Sequence, residues 1–296
     1  MGGIDTTSYS VSQRLIGVLE GWWRPRGREV EILAEAARLN KLYLAYLRRV
    51  NDPALDIERM REEARYRRYT GNVIEVVKTL NDLRYALHKF RKPFEHVSVD
   101  LDILIHVDDA PRAVRRLVEK GFRIVVPESY TVTLEKRGFI VDLYTQPSFA
   151  WIVYLNGKEL LKEHVEDFEV EGVWVRGLTR DAEVVVSAAH AVYKEHIALL
   201  IDCLTLWKWC GRKALDIAVE LGVYDSMKML SSACREVLRG AEAPVKIHPA
   251  VLLKAYLRKV LEDPAFRATS PNIVKYLAKR REIGRIILWR LLRKTY

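Results

Sequence analysis

The sequence predicts an α+β protein, with a small mixed β-sheet core set between N-terminal helices and a C-terminal helical domain. Apolar residues recur near the helical period through residues 10–70. Short runs rich in β-branched and aromatic residues, bounded by turn formers, occupy residues 84–175. From Thr179 onward the helical pattern returns and continues along the chain. These shifts divide the sequence into residues 1–70, 71–178 and 179–296.

Taken in order, Val30, Leu33, Ala34, Ala37, Leu39, Leu42, Leu44 and Leu47 make one amphipathic segment. It is preceded by an aromatic-basic turn, Trp22 to Arg28, whose tryptophans either cap a core or stack on a base. Asp56 to Arg65 makes a second, highly charged helix, in which Glu58–Arg61 and Glu62–Arg65 can pair at i, i+3. Gly71-Asn72 breaks the pattern, and Val73 to Leu80 resumes it toward Leu83. Arg84 to Phe90 reads as a short strand closed by Pro93-Phe94, and Val97 to Ile105 as the next. Ala110 to Lys120 is a helix capped by Asp108-Asp109 and ended by Gly121. Phe122 to Val126 is a strand, and Tyr130 to Leu134 with Gly138 to Tyr144 a hairpin. Trp151 to Leu155 and Phe168 to Val175 read as further strands, with a turn at Asn156-Gly157. Thr179, followed by Asp181 and Glu183, opens the first C-terminal helix. Later helices are expected over 197–210, 211–221, 224–239, 249–262 and 271–294.

Composition bounds the function. The 296 residues allow two domains, or one large core with appendages. No apolar run approaches the length of a membrane span, and residues 1–8 lack the basic and apolar regions of a signal peptide. A cytoplasmic protein with no membrane partner is therefore expected. Cys203, Cys210 and Cys234 form neither a CxxC pair nor a zinc-like spacing with His; they are expected as buried thiols in a reducing compartment. Glutamine occurs only at positions 13 and 146, a bias that fits a thermophile. The net charge is +10, and residues 246–296 hold 13 Lys plus Arg against 3 Asp plus Glu. The whole excess lies in those last 51 residues. It suggests an anionic partner, RNA or DNA first and nucleotide phosphates second, with a solvated helix face as the alternative.

Asp100, Asp102 and Asp142 carry the chemistry. The first two alternate with Leu101 and Ile103 in a strand, so both project to one face. The third lies in the strand Phe139-Ile140-Val141-Asp142-Leu143-Tyr144. Carboxylates aimed together from apolar strands repel one another and are poorly solvated. A hard divalent cation, Mg²⁺ or Mn²⁺, removes both costs. A chance Asp-x-Asp pair left in water at a strand end is the competing reading. His190, Lys194, Glu195 and His196 form a polar cluster on a helix without the HExxH spacing, which makes zinc improbable. Asp202 reads as a helix-face carboxylate that pairs with Lys or Arg, and Trp207 and Trp209 as core fillers, with the wall of a nucleobase pocket as the alternative for one of them.

The stretch Ser98-Val99-Asp100-Leu101-Asp102-Ile103-Leu104-Ile105, then helix 110–120, then Gly121-Phe122, then Ile140-Val141-Asp142-Leu143, resembles the nucleotidyltransferase superfamily typified by DNA polymerase beta. It is most similar to the small uncharacterised prokaryotic and archaeal members, including the antitoxin and toxin types. The similarity covers about residues 84–145, and Ala188-Ala189-His190 with Leu200 to Leu204 resemble that group's helical tail. The resemblance implies Asp100, Asp102 and Asp142 as metal ligands and catalytic residues. It implies a Mg²⁺-dependent transfer of a nucleoside monophosphate from an NTP to an acceptor in RNA, protein or a small molecule. Such proteins usually carry a Gly-Gly or Gly-Ser pair about ten residues before the Asp pair, whose backbone N–H groups bind the triphosphate. Here that stretch is Leu87-His88-Lys89-Phe90-Arg91-Lys92-Pro93, without glycine. Lys89, Lys92, His96 and Ser98 are the nucleotide-binding candidates, although Ser98 can equally bond a carboxylate or be structural. The departure leaves a catalytically inactive module that binds nucleic acid or a protein partner as the alternative function. A nuclease or phosphodiesterase using the same metals is more distant.

Overall fold

The structure is a computed structural model, and it describes residues 9–279. Helix α1 (Val11–Glu20) opens on a capping box: the Ser10 hydroxyl accepts from the Gln13 N–H, and the Gln13 side chain accepts from the Ser10 N–H. The Trp22-Trp23 turn follows, with Trp22 exposed and the Trp23 indole N–H donating to Glu29. Helices α2 (Arg28–Leu39) and α3 (Tyr43–Arg49) pack on α1 through Leu15, Leu33, Leu42 and Leu47, all buried.

Helix α4 runs unbroken from Asp56 to Leu80. The break expected at Gly71-Asn72 is absent, so residue 70 falls inside a helix. An interior glycine costs about 1 kcal/mol of helix propensity. Burial of Val73, Val76, Val77 and Leu80 against the sheet outweighs it.

The elements that follow are β1 (Tyr85–Leu87), β2 (Asp100–Ile105), α5 (Ala110–Glu119), β3 (Arg123–Pro127), β4 (Thr131–Lys136) and β5 (Phe139–Tyr144). A small hairpin, β6 (Ser148–Phe149) and β7 (Ile152–Val153), precedes α6 (Gly157–Glu163). The expected turn at Asn156-Gly157 is in fact the start of that helix. The Asn156 side chain accepts from the Glu159 N–H, and a Cβ on residue 157 would lie 2.9 Å from Leu104 and 3.0 Å from the Thr145 carbonyl. Only glycine lets the helix start this close to the sheet. The single strand expected over 168–175 is a hairpin, β8 (Val165–Val170) and β9 (Val173–Leu178). Its turn, Glu171-Gly172, takes φ of 47° and 78°.

Seven strands form one mixed sheet in the order β3-β4-β5-β2-β1-β9-β8. β2 is parallel to β5 and antiparallel to β1. Leu101 and Ile103 are registered against Val141 and Leu143, and all four are buried on the face covered by α4 and α5. Because side chains alternate, this apolar register also sets Asp102 opposite Asp142 on the other face.

That other face meets the C-terminal helices. Helix α7 (Arg180–His190) is capped by Thr179, whose hydroxyl accepts from the Ala182 N–H. A π turn (Ala191–Glu195) and β10 (Ile197–Ala198) precede α8 (Leu200–Trp209), so the helix expected over 197–210 starts later. Then come α9 (Arg212–Glu220), α10 (Tyr224–Leu238), β11 (Val245–Lys246), α11 (Pro249–Glu262), α12 (Pro264–Thr269) and α13 (Asn272–Lys279). The rest of the helix expected over 271–294 lies outside the described residues. One apolar cluster runs through α1–α3 and α7–α12, including Leu15, Leu33, Leu199, Leu200, Leu230 and Phe266. Cys203 and Cys234 are joined in a disulfide between α8 and α10, with Cα atoms 5.3 Å apart. The expectation of three free thiols is corrected to one, Cys210. Among the described residues no helix is long and apolar enough to cross a membrane.

Candidate active site

The parallel pairing of β2 with β5 delivers the three acids. Asp100, Asp102 and Asp142 each present a carboxylate oxygen, and these oxygens lie within 4.8 Å of one another. The Ser98 hydroxyl donates to Asp100 Oδ1 at 3.0 Å. Thr133 on β4 donates to Asp142 Oδ1 at 2.6 Å, and the Tyr144 hydroxyl reaches Asp142 Oδ2 at 3.4 Å. Asp102 is only 7 % exposed, and its Oδ1 has no hydrogen-bond partner. Burial, then the charge of Asp102, pushes the Asp142 carboxyl up to about 6. An all-oxygen donor set with mutually repelling charges and one orphaned buried oxygen fits a hard divalent cation.

Positive charge gathers beside the acids. Lys89 Nζ lies 2.7 Å from Asp102 Oδ2 and 3.4 Å from His190 Nε2. Burial opposes the Lys89 charge, but Asp102 and Asp100 outweigh it and hold the ammonium above its ordinary range. An ammonium only donates, so His190 Nε2 is the acceptor and the ring is neutral. Burial, reinforced by Lys89 and Lys194, holds that imidazole well below its usual range. Lys92 Nζ donates to Ser187 Oγ at 2.6 Å and lies 3.9 Å from Asp202. Lys194 Nζ donates to the Tyr144 hydroxyl at 3.3 Å. Burial, with Lys92 and Lys41, takes His96 down to about 3, so it too is uncharged at neutral pH. Lys41, Lys89, Lys92 and Lys194 line one cavity of about 100 Å³ with Asp100, Asp102, His96 and Ser98.

The loop between β1 and β2 occupies the place of the missing glycine pair. Lys89 there has φ of 57°, a backbone conformation that glycine adopts most readily. The Phe90 and Arg91 N–H groups both donate to Oε1 of Glu183 on α7, at 3.1 and 3.3 Å. Glu183 is fully buried, and that burial pushes its carboxyl up to about 7.

The acids Asp100, Asp102 and Asp142 therefore come together, and Ser98, Lys89, Lys92 and His96 all lie beside them. Sequence reasoning missed Lys41, Glu183, Thr133 and Tyr144, and gave His190 and Lys194 little weight. Their i, i+4 spacing on one helical stretch was a usable signal. Lys41 carries none, because it reaches the cavity from the turn between α2 and α3. His196 points elsewhere, its Nε2 3.1 Å from the Tyr256 hydroxyl.

Comparison with known families agrees with this geometry. Residues 85–208 match the model of a family described as an uncharacterised nucleotidyltransferase. No curated protein matches the chain. The matched segment begins at β1, contains all three aspartates, and ends in α8. Over this segment the chain is similar to that nucleotidyltransferase family.

Proposed function

We propose that this chain is a Mg²⁺-dependent enzyme that transfers a nucleoside monophosphate from an NTP to a hydroxyl or amine acceptor on RNA, protein or a small molecule. The observation that carries the reading is the convergence of three carboxylates within 4.8 Å, one of them holding a buried oxygen with no partner. Asp100, Asp102 and Asp142 hold the divalent cations. Bound there, such ions would supply acidity to the acceptor hydroxyl and charge to offset the leaving pyrophosphate.

The chain's own groups do the rest. Ser98 fixes the Asp100 carboxylate, while Thr133 and Tyr144 fix that of Asp142. Asp142 either completes the metal site or accepts the acceptor's proton; the rise of its carboxyl to about 6 belongs to the metal-free site. The acceptor oxygen then bonds to the α-phosphorus as the bond to the bridging oxygen of the β-phosphate breaks. Pyrophosphate leaves with that electron pair. Lys89, Lys92, His96 and Ser98 line the cavity, and on this reading they face the phosphates. Lys89 and Lys92 supply the charge, and neutral His96 can only share hydrogen bonds.

Isothermal titration tests the metal role: Mg²⁺-ATP should bind the native chain, and Asp100→Ala with Asp102→Ala should abolish binding. Unchanged binding in the double variant rejects it. α-Labelled NTPs incubated with cellular RNA and protein then test transfer. Label that stays on the nucleotide despite tight binding makes this a binding module rather than an enzyme.

A further inference from the structure

In the glycine-loop arrangement, phosphates are held by backbone N–H groups. Two of the loop's N–H groups, those of Phe90 and Arg91, are already taken here by Glu183 from inside the fold. The cavity instead offers side-chain donors from three separate parts of the chain. Lys89 and Lys92 come from the β1–β2 loop, Lys194 from the turn after α7, and Lys41 from the N-terminal helical layer.

Lys41 is the unexpected member. It lies 44 residues before the family-matched segment begins at residue 85. It has φ of 57° in the tight turn that joins α2 to α3. Lysine gains nothing from that conformation, which glycine or asparagine adopts at lower cost. Its ammonium is also pressed into the cavity, where burial lowers its pKa, partly offset by Asp100. Two costs are thus borne at one residue, and both place one charge at the cavity wall.

The charge balance says what that wall is built for. Four lysines, Lys41, Lys89, Lys92 and Lys194, face four carboxylates, Asp100, Asp102, Glu195 and Asp202. Formal charges along the cavity wall are matched, and Asp142 stands behind them. Cations held by the aspartates would leave the lysine charge uncompensated, which suits a polyanion entering with the metal. At about 100 Å³ the space is on the scale of phosphate groups, well below the ~300–1,000 Å³ typical of a whole-ligand site.

We propose that Lys41 is a phosphate-binding residue of the nucleotide site. With Lys92 and Lys194 it holds the polyphosphate tail by side chains, in place of a glycine loop. The N-terminal helices are therefore part of the site. The identity of the ligand as a nucleoside triphosphate rests on the transfer reading above; recognition of a polyphosphate does not.

The test uses inorganic tripolyphosphate as probe, titrated into the full chain with Mg²⁺ present. Lys41→Gly suits the left-handed backbone, so it removes the ammonium without threatening the fold. It should weaken binding about ten- to hundredfold, the loss expected for one charge-assisted contact. Lys41→Arg should retain most of the affinity. Arg38→Met is the control: Arg38 neighbours Lys41 but lines an adjoining groove instead of the cavity. It should bind like the native chain. Native-like affinity in Lys41→Gly, or an equal loss in Arg38→Met, overturns the proposal.

A second background separates this from the metal reading. In Asp100→Asn with Asp102→Asn, the opposing carboxylate charge is gone, and tripolyphosphate should bind without metal. Adding Lys41→Gly should again weaken it about tenfold or more. If the double Asn variant binds Mg²⁺-ATP as the native chain does, the transfer reading fails. A Lys41-dependent loss in that same variant still upholds this proposal, and no loss overturns it.

Discussion

Lys89 stands where the proposed metal ion would have to compete. Its ammonium lies 2.7 Å from an Asp102 oxygen, and Asp102 has a second oxygen without a partner. A divalent cation must displace or repel that ammonium to take the carboxylate. Lys89→Met should therefore raise affinity for Mg²⁺ alone by about tenfold, read by metal titration without nucleotide. Affinity that is unchanged or weaker would show that Lys89 does not oppose the ion. Glu183 gives a pH signature. Its folded carboxyl is raised to about 7 from an ordinary 4.5, so its ionised form is the one disfavoured by folding. The native chain should lose stability from this group as pH rises from 4.5 through 7, by at most about 3 kcal/mol. Glu183→Gln keeps an acceptor for Phe90 and Arg91 but cannot ionise. Its denaturation midpoint should match the native one near pH 4.5 and exceed it above pH 7. At this scale, the aspartates were readable because strand alternation fixes which residues share a face. Lys41 was not, because no local period connects a helix turn to a strand end sixty residues on.

Among the elements, the order from β1 to the β4–β5 hairpin was legible, since β-branched runs are local signals; the turn expected across Glu135-Lys136-Arg137 falls at Arg137-Gly138, because β4 runs on to Lys136. Two readings failed for opposite reasons. Gly71 looked like a stop, but propensity is weak against burial of four apolar side chains on the next two turns of α4. Asn156-Gly157 looked like a hairpin turn, and its asparagine caps a helix instead. The link between α8 and α10 could not be read at all, because a separation of 31 residues carries no motif. Cys203→Ser with Cys234→Ser, or a reductant, should lower stability by about 3–4 kcal/mol, the entropy of closing a loop of that length. A melting curve taken with and without reductant measures it. An unchanged midpoint would mean the bond adds nothing to helix packing already in place.

At the scale of the whole molecule, the sequence divides into three stretches, while the apolar clusters among the described residues divide into two. One cluster joins the N-terminal and C-terminal helices, and the other holds the back of the sheet. Sequence could not foresee this, because periodicity shows that a face is apolar and not what covers it. The basic C-terminus belongs to the same scale. Residues 280–296 carry 6 Lys plus Arg against 1 acidic residue. Removing them should weaken retention of RNA and flatten its dependence on salt, measured by filter binding across ionic strengths. An unchanged slope would leave that charge without a part in binding.

Helix α4 belongs to both halves of this arrangement. Near its start Arg59 donates to the Leu47 and Val50 carbonyls, and Glu63 pairs with Arg48, while its last turns lie under the sheet. It works as a shared axle. A fragment cut to the family boundary at residue 85 would leave the hub without its shaft, with only α5 left to cover the face of Leu101, Ile103 and Val141. The family-matched stretch therefore depends on a rod that lies wholly outside it.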